Sequence, residues 1–159
     1  MLHHISIAAN HPRQVAEILA EIFQGQVAPF PFNPGSYVAL AGDEFGTLIE
    51  IYPRGSELVP DGREGEAGFQ LNQQPSHYAP FHVAISVPSS LAEIKQIGDR
   101  VGWRVFPTNR DGLFDVIEFW VENRLMIELL TPPMVPKYLQ TLAPETLPAL
   151  IEQMSLADA

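Results

Sequence analysis

His4 and His82 open closely similar stretches, His4-Ile5-Ser6-Ile7-Ala8 and His82-Val83-Ala84-Ile85-Ser86. Each is followed 46 residues later by a glutamate, Glu50 in Ile49-Glu50-Ile51 and Glu128 in Ile127-Glu128-Leu129, and the copies are offset by 78 residues. Two imidazoles and two carboxylates at matching places of a duplicated unit form a nitrogen and oxygen donor set that suits one divalent cation. The chain has no cysteine, which excludes thiolate ligation, disulfides and a cysteine nucleophile. A cation held in this way acts as a Lewis acid, and a flanking carboxylate can accept a proton from carbon next to a carbonyl.

The elements that must position these groups follow from periodicity. Residues 2–9 alternate as a strand does, with Ile5 and Ile7 on one face and His4, Ser6 and Ala8 on the other. After Asn10-His11-Pro12, with Asn10 as the expected cap, Val15, Ile18, Leu19, Ile22 and Phe23 recur at helical spacing and stop near Gly25. A short strand near 26–30, a strand over 36–41, a turn at 42–46 and a strand over 47–52 complete a βαβββ order. The second copy repeats it. A strand over 81–87 leads to a helix capped by Ser89 or Ser90 and bearing Leu91, Ile94, Ile97 and Val101; strands follow over 103–107, 114–121 and 125–131. Parity sets Glu50 opposite Ile49 and Ile51, and Glu128 opposite Ile127 and Leu129, so each sheet has one apolar, helix-covered face and one face bearing His and Glu.

The expected fold class is therefore α+β, with two tandem βαβββ modules over residues 1–132, the first 1–53 and the second 81–132. Residues 54–80, rich in Gly, Pro, Gln and acidic residues, read as an exposed linker or lid. Over 133–159, Tyr138, Leu139, Leu142, Leu147, Leu150, Ile151 and Met154 predict a C-terminal helical extension. A net charge of -10 opposes a nucleic-acid partner, and no apolar run approaches the roughly 18 residues of a membrane span. A cytoplasmic protein acting on a small molecule is expected, as a homodimer extended by the tail leucines.

Other residues carry weaker signals. His3 points away from His4, and His11 and His77 lie in turns. The face of Glu118 depends on the length of the following turn, a bulge being expected to turn it to the face of the His and Glu residues, and Arg104 and Arg110 are candidates for holding an anionic substrate. Phe30, Phe32, Tyr37, Tyr52 and Trp120 are candidates for a pocket lining. No Gly-rich phosphate loop, nucleophile elbow or dinucleotide fingerprint is present.

On the quartet and the duplicated order, residues 1–131 resemble the vicinal oxygen chelate superfamily. That group includes glyoxalase I, methylmalonyl-CoA epimerase, extradiol dioxygenases and the bleomycin- and fosfomycin-resistance proteins. The resemblance implies a cupped mixed sheet with outer helices around a divalent metal, whose ligands come from the first and last strands, where His4, Glu50, His82 and Glu128 stand. A four-ligand set looks most like the glyoxalase and epimerase branches. It implies a lyase or isomerase that enolises a small carbonyl substrate on Ni, Zn, Co, Mn or Fe, with Glu50 and Glu128 as catalytic carboxylates and Glu128 preferred as the mobile base. The alternatives are an Fe(II) extradiol-type dioxygenase, whose branch shows two His and one carboxylate, and a non-catalytic binding protein of the bleomycin-resistance type. The chain departs from the glyoxalase pattern at Val121-Glu122-Asn123-Arg124, where an Asp-Pro-Asp-Gly-type turn is common. It departs again at Ala16-Glu17-Ile18-Leu19, which lacks the usual aromatic pair.

Overall fold

The computed structural model describes residues 2–60 and 67–157, the last five by their backbone, so the acidic stretch 61–66 and the side chain of Met154 lie outside the description. The chain divides into two compact units, 1–80 and 81–159.

In the first unit β1 (His4–Ala9), α1 (Pro12–Phe23), β2 (Gln26–Phe30), β3 (Ser36–Leu40) and β4 (Leu48–Pro53) form a four-stranded sheet of order β1-β4-β3-β2 under one helix. β1 runs parallel to β4 and the other pairs are antiparallel, as a helical crossover followed by hairpins requires. α1 begins with Pro12, whose missing N–H costs nothing at that position. Its N-cap is His11, without a side-chain cap, so Asn10 does not fill the expected role. The helix buries Val15, Leu19 and Ile22, and the sheet buries Ile7, Ala39, Ile49 and Ile51. It stops where Gln24 turns left-handed and the Gly25 N–H bonds the Ala20 carbonyl at 2.8 Å. A Cβ at Gly25 would collide with the Leu40 carbonyl.

The connection is not without structure. β5 (Ser56–Pro60) and β6 (Ala67–Leu71) pair as an antiparallel hairpin. Phe69 anchors it, with its ring 5.1 Å edge-on to Tyr52, while Glu57 accepts from Gln70 and Asn72 at 2.9 and 2.7 Å. The polar composition that suggests a linker is instead cross-strand pairing.

In the second unit β7 (Ala84–Ser86), α2 (Leu91–Val101), β8 (Val105–Arg110), β9 (Phe114–Val121) and β10 (Leu125–Leu130) repeat the order as β7-β10-β9-β8. Ser90 caps α2 in a reciprocal capping box with Glu93, and Gly102 ends it. The expected strand over 81–87 contracts to Ala84–Ser86, flanked by the bonds Glu128 N to Val83 O and Val87 N to Leu130 O at 2.9 Å each. β8 begins later than expected and extends to Arg110, with Pro107 tolerated because the strand is an edge.

The duplication is regular in all but one strand. The rung Phe30↔Ser36 corresponds to Thr108↔Val116, so the β8–β9 hairpin holds two more residues than its counterpart. The rung Leu40↔Leu48 corresponds to Trp120↔Met126, so the β9–β10 turn holds two fewer. Glu122 and Asn123 make that tight turn with positive φ, and the Asn123 side chain accepts from the Arg104 N–H and donates to the Gly102 carbonyl, both at 2.8 Å. Beyond the sheet, α3 (Val135–Thr141) and α4 (Leu147–Ala157) form the extension. α3 grips the β8–β9 tip through Lys137 Nζ to Gly112 O at 2.9 Å, Thr141 Oγ1 to Leu113 O at 3.0 Å, and Tyr138 against Phe114. No helix among the described residues is long and apolar enough to cross a membrane.

The collision at Gly25 is with backbone, which cannot swing aside. Gly25→Ala is expected to destabilise the chain by about 3 kcal/mol, at the upper end of overpacking costs. Denaturant titration should show a lowered midpoint with an unchanged slope.

Candidate functional site

Glu50 stands on β4 between its two neighbours, on one rung with Ser6 of β1 and Val38 of β3. Its half-buried carboxylate is oriented by that rung and by its own strand: Oε2 accepts from Ser6 Oγ at 2.8 Å and from Tyr52 Oη at 2.5 Å. Oε1 takes no hydrogen bond among the described residues. Tyr52 is buried with its ring between Phe30 and Phe69, at 5.7 and 5.1 Å, and Phe32 leans edge-on against Phe30. Burial first, then the bond to Glu50, raises the Tyr52 phenol above the ordinary tyrosine value, so it stays a proton donor to Glu50. His4 shares the face of Ser6, one diagonal step from Glu50, with an exposed imidazole free of hydrogen bonds among the described residues.

The equivalent rung of the second unit is built from different residues. Glu128 is only 7% exposed and lies between Ala84, which has no hydroxyl to offer, and Glu118, a second carboxylate directly opposite. Arg110 resolves this. Its Nε donates to Glu128 Oε1 at 3.1 Å, and its Nη2 donates both to that oxygen and to Glu118 Oε1, the latter at 3.1 Å. Trp120 Nε1 donates to Glu118 Oε2 at 3.2 Å. The hydrogen bond to Glu128 foremost, against some desolvation, raises the Arg110 pKa further, so the guanidinium is a fixed cation. Glu128 Oε2 has no partner among the described residues. His82 is exposed, two residues ahead of Ala84 and outside β7.

The structure thus brings Arg110, Glu118 and Glu128 together, and register alone puts Glu118 on the face of Glu128 without a bulge. Arg110 is not a free anion holder, and Arg104 is exposed over the Phe106 ring. His3 bonds the Phe45 carbonyl at 2.7 Å, His11 occupies the N-cap position of α1 and His77 stacks edge-on to Tyr78. Tyr37 pairs with Ile51 on the helix-covered face, away from Tyr52. The quartet divides between the units, His4 with Glu50 and His82 with Glu128, and no group of three or more His, Asp or Glu gathers as a metal cluster among the described residues. The orienting partners Ser6, Tyr52, Arg110 and Trp120 carry no motif; same-face parity was the one signal able to nominate Ser6 and Tyr52.

Because the folded state holds Tyr52 protonated, its contribution to stability is full below the unfolded tyrosine pKa, near 10, and is lost as pH rises through the higher folded value. Tyr52→Phe should therefore lose stability at neutral pH yet show a shallower alkaline decline. Thermal melts across the alkaline range, with phenolate absorbance, check this; identical slopes in both proteins would contradict it.

No protein-family model and no curated protein matches the sequence. Solved structures do resemble it. The genomically encoded fosfomycin resistance protein FosX from Listeria monocytogenes is 16% identical, with 82% of this chain covering 92% of that one at a TM-score of 0.53. The same protein complexed with Mn(II) and sulfate ion is 15% identical over 88% of this chain and 94% of that one, TM-score 0.53. A putative glyoxalase family protein from Bacillus anthracis is 16% identical over 81% and 92%, TM-score 0.53. Likeness at this identity is likeness of fold, and these proteins are vicinal oxygen chelate proteins. The chain has the vicinal oxygen chelate fold, an α+β architecture of tandem βαβββ units.

Proposed function

We propose that the chain is a divalent-metal-dependent enzyme of the glyoxalase or epimerase kind, which enolises a small carbonyl substrate by carboxylate proton transfer. His4, Glu50, His82 and Glu128 are its proposed ligands. One observation carries the reading: each of the two glutamates keeps one carboxylate oxygen without a partner among the described residues, open to an ion. The two imidazoles likewise have no partner among the described residues, and Ni, Zn, Co, Mn and Fe all accept such nitrogen and oxygen donors. FosX complexed with Mn(II) supports a divalent ion in this fold. A bound ion would supply Lewis acidity to a carbonyl oxygen.

The chain's own residues divide the remaining work. Ser6 and Tyr52 hold Glu50 through neutral hydroxyls, so its Oε1 could loosen from a bound ion and accept a proton, whereas a guanidinium ties down Glu128. Glu50 is therefore the base in this reading, in place of the preference for Glu128 drawn from resemblance. Phe30, Phe32 and Phe69 offer apolar surface beside it. Leu139, Leu142, Leu147 and Ile151 are exposed and suit contact with a second copy in a homodimer. A second reading, a non-catalytic binding protein, is favoured by one feature: Arg110 already satisfies the buried Glu128 without a metal.

Calorimetric titration of metal-stripped protein is expected to show a divalent-ion site that a His4→Ala/His82→Ala variant loses. Loaded protein should exchange the α-proton of a hemithioacetal or acyl thioester with solvent deuterium, and Glu50→Gln should slow this by roughly 10²-fold or more while metal stays bound. Absence of a metal site would leave the binding protein. Substrate-dependent oxygen uptake by the iron-loaded form, without exchange, would establish the dioxygenase.

A further inference from the structure

Glu118 and Glu128 face each other across one rung, an arrangement that like charges destabilise, and a single side chain reconciles them. Arg110 Nη2 donates to both carboxylates, and Nε adds a second bond to Glu128. Trp120 occupies the far oxygen of Glu118 and leaves Oε1 turned to Arg110. The first unit has no such device: its glutamate faces Val38, and the residue in the place of Arg110 is Phe32, exposed in the shorter hairpin. The pair Arg110 and Glu118 is therefore peculiar to the second unit, where the longer β8–β9 hairpin presents Arg110 and α3 grips its tip.

We infer that Arg110 is the resident counter-cation of Glu128, that it competes with a divalent ion for this carboxylate, and that Glu118 takes Arg110 over when the ion binds. The inference rests on the reading of Glu128 as a metal ligand. Two effects of equal sign follow from removing the guanidinium. Without it the metal-free protein is left with two opposed carboxylates, and the metal-bound protein loses a positive charge beside a dication. Both tighten metal binding. Removing the Glu118 charge does the opposite, because Arg110 is then left to Glu128 alone.

The test is calorimetric titration of the metal-stripped full chain with manganous chloride at fixed pH and ionic strength. Arg110→Gln is expected to bind about tenfold more tightly than the parent, a modest change for a charge near a partly exposed site. Arg110→Lys, which keeps the charge, should stay near the parent. Glu118→Gln should weaken binding, and should have little effect in the Arg110→Gln background, which separates hand-over from simple loss of charge. Arg110→Gln binding no more tightly than the parent overturns the inference. A parent that binds no manganese while Arg110→Gln does would overturn the metal-dependent function and uphold the inference. Should Arg110→Gln fail to fold by circular dichroism, Arg110→Met takes its place in both the single and the double variant, and the same outcomes decide.

Discussion

A carboxylate on an inner strand has to be satisfied where it stands, and much of each unit is arranged about that need. β4 and β10 each lie between two other strands, and each carries one glutamate in an otherwise apolar run. Left unpartnered, such a group costs about 1–3 kcal/mol or more, a sizeable part of a domain's stability. The first unit meets the cost with neutral hydroxyls from Ser6 and Tyr52, and the second with a guanidinium. The choice follows from the rung: Ala84 cannot donate where Ser6 does, and Glu118 adds a charge where Val38 adds none. Equivalent positions have thus become inequivalent electrostatically, one glutamate hydrogen-bonded and the other ion-paired.

Order and parity were legible from residues because they are local. Alternation around Ile49-Glu50-Ile51 and Ile127-Glu128-Leu129 fixes which face each carboxylate takes, and the spacing of Val15, Ile18, Leu19 and Ile22 fixes the helix that covers the other. Register was not legible, since the face of Glu118 relative to Glu128 depends on a turn made by two residues at positive φ. The pairing of Arg110 was hidden for the same reason, being separated by 18 residues from the oxygen it binds. β5 and β6 escaped notice because their pairing is largely polar and the apolar anchor, Phe69, finds its partner Tyr52 only in three dimensions. The strand expected over 81–87 is half the length of its counterpart β1 although both are edges, and residues 81 and 82 are exposed.

A shared fold at 16% identity does not carry a shared reaction, since one scaffold hosts many chemistries. What bears on chemistry here is finer than topology: which oxygen of each carboxylate is already spoken for. Glu50 and Glu128 differ in this respect by the charge of their partners, one held by neutral hydroxyls and the other as part of an ion pair.

The C-terminal extension gains a physical purpose on the same grounds. An arginine held in one geometry gives up about 2 kcal/mol of side-chain entropy, and the longer hairpin that presents Arg110 turns through Asp111 and Gly112, both at positive φ. Such a tip would fray if left in solvent. α3 instead caps its carbonyls with Lys137 and Thr141 and packs Tyr138 on Phe114, the residue paired with Arg110 on the neighbouring strand. The tail thereby braces the backbone from which Arg110 reaches Glu128, so a helix that follows directly on β10 and lies outside the duplicated order supports the ion pair of one of its two glutamates.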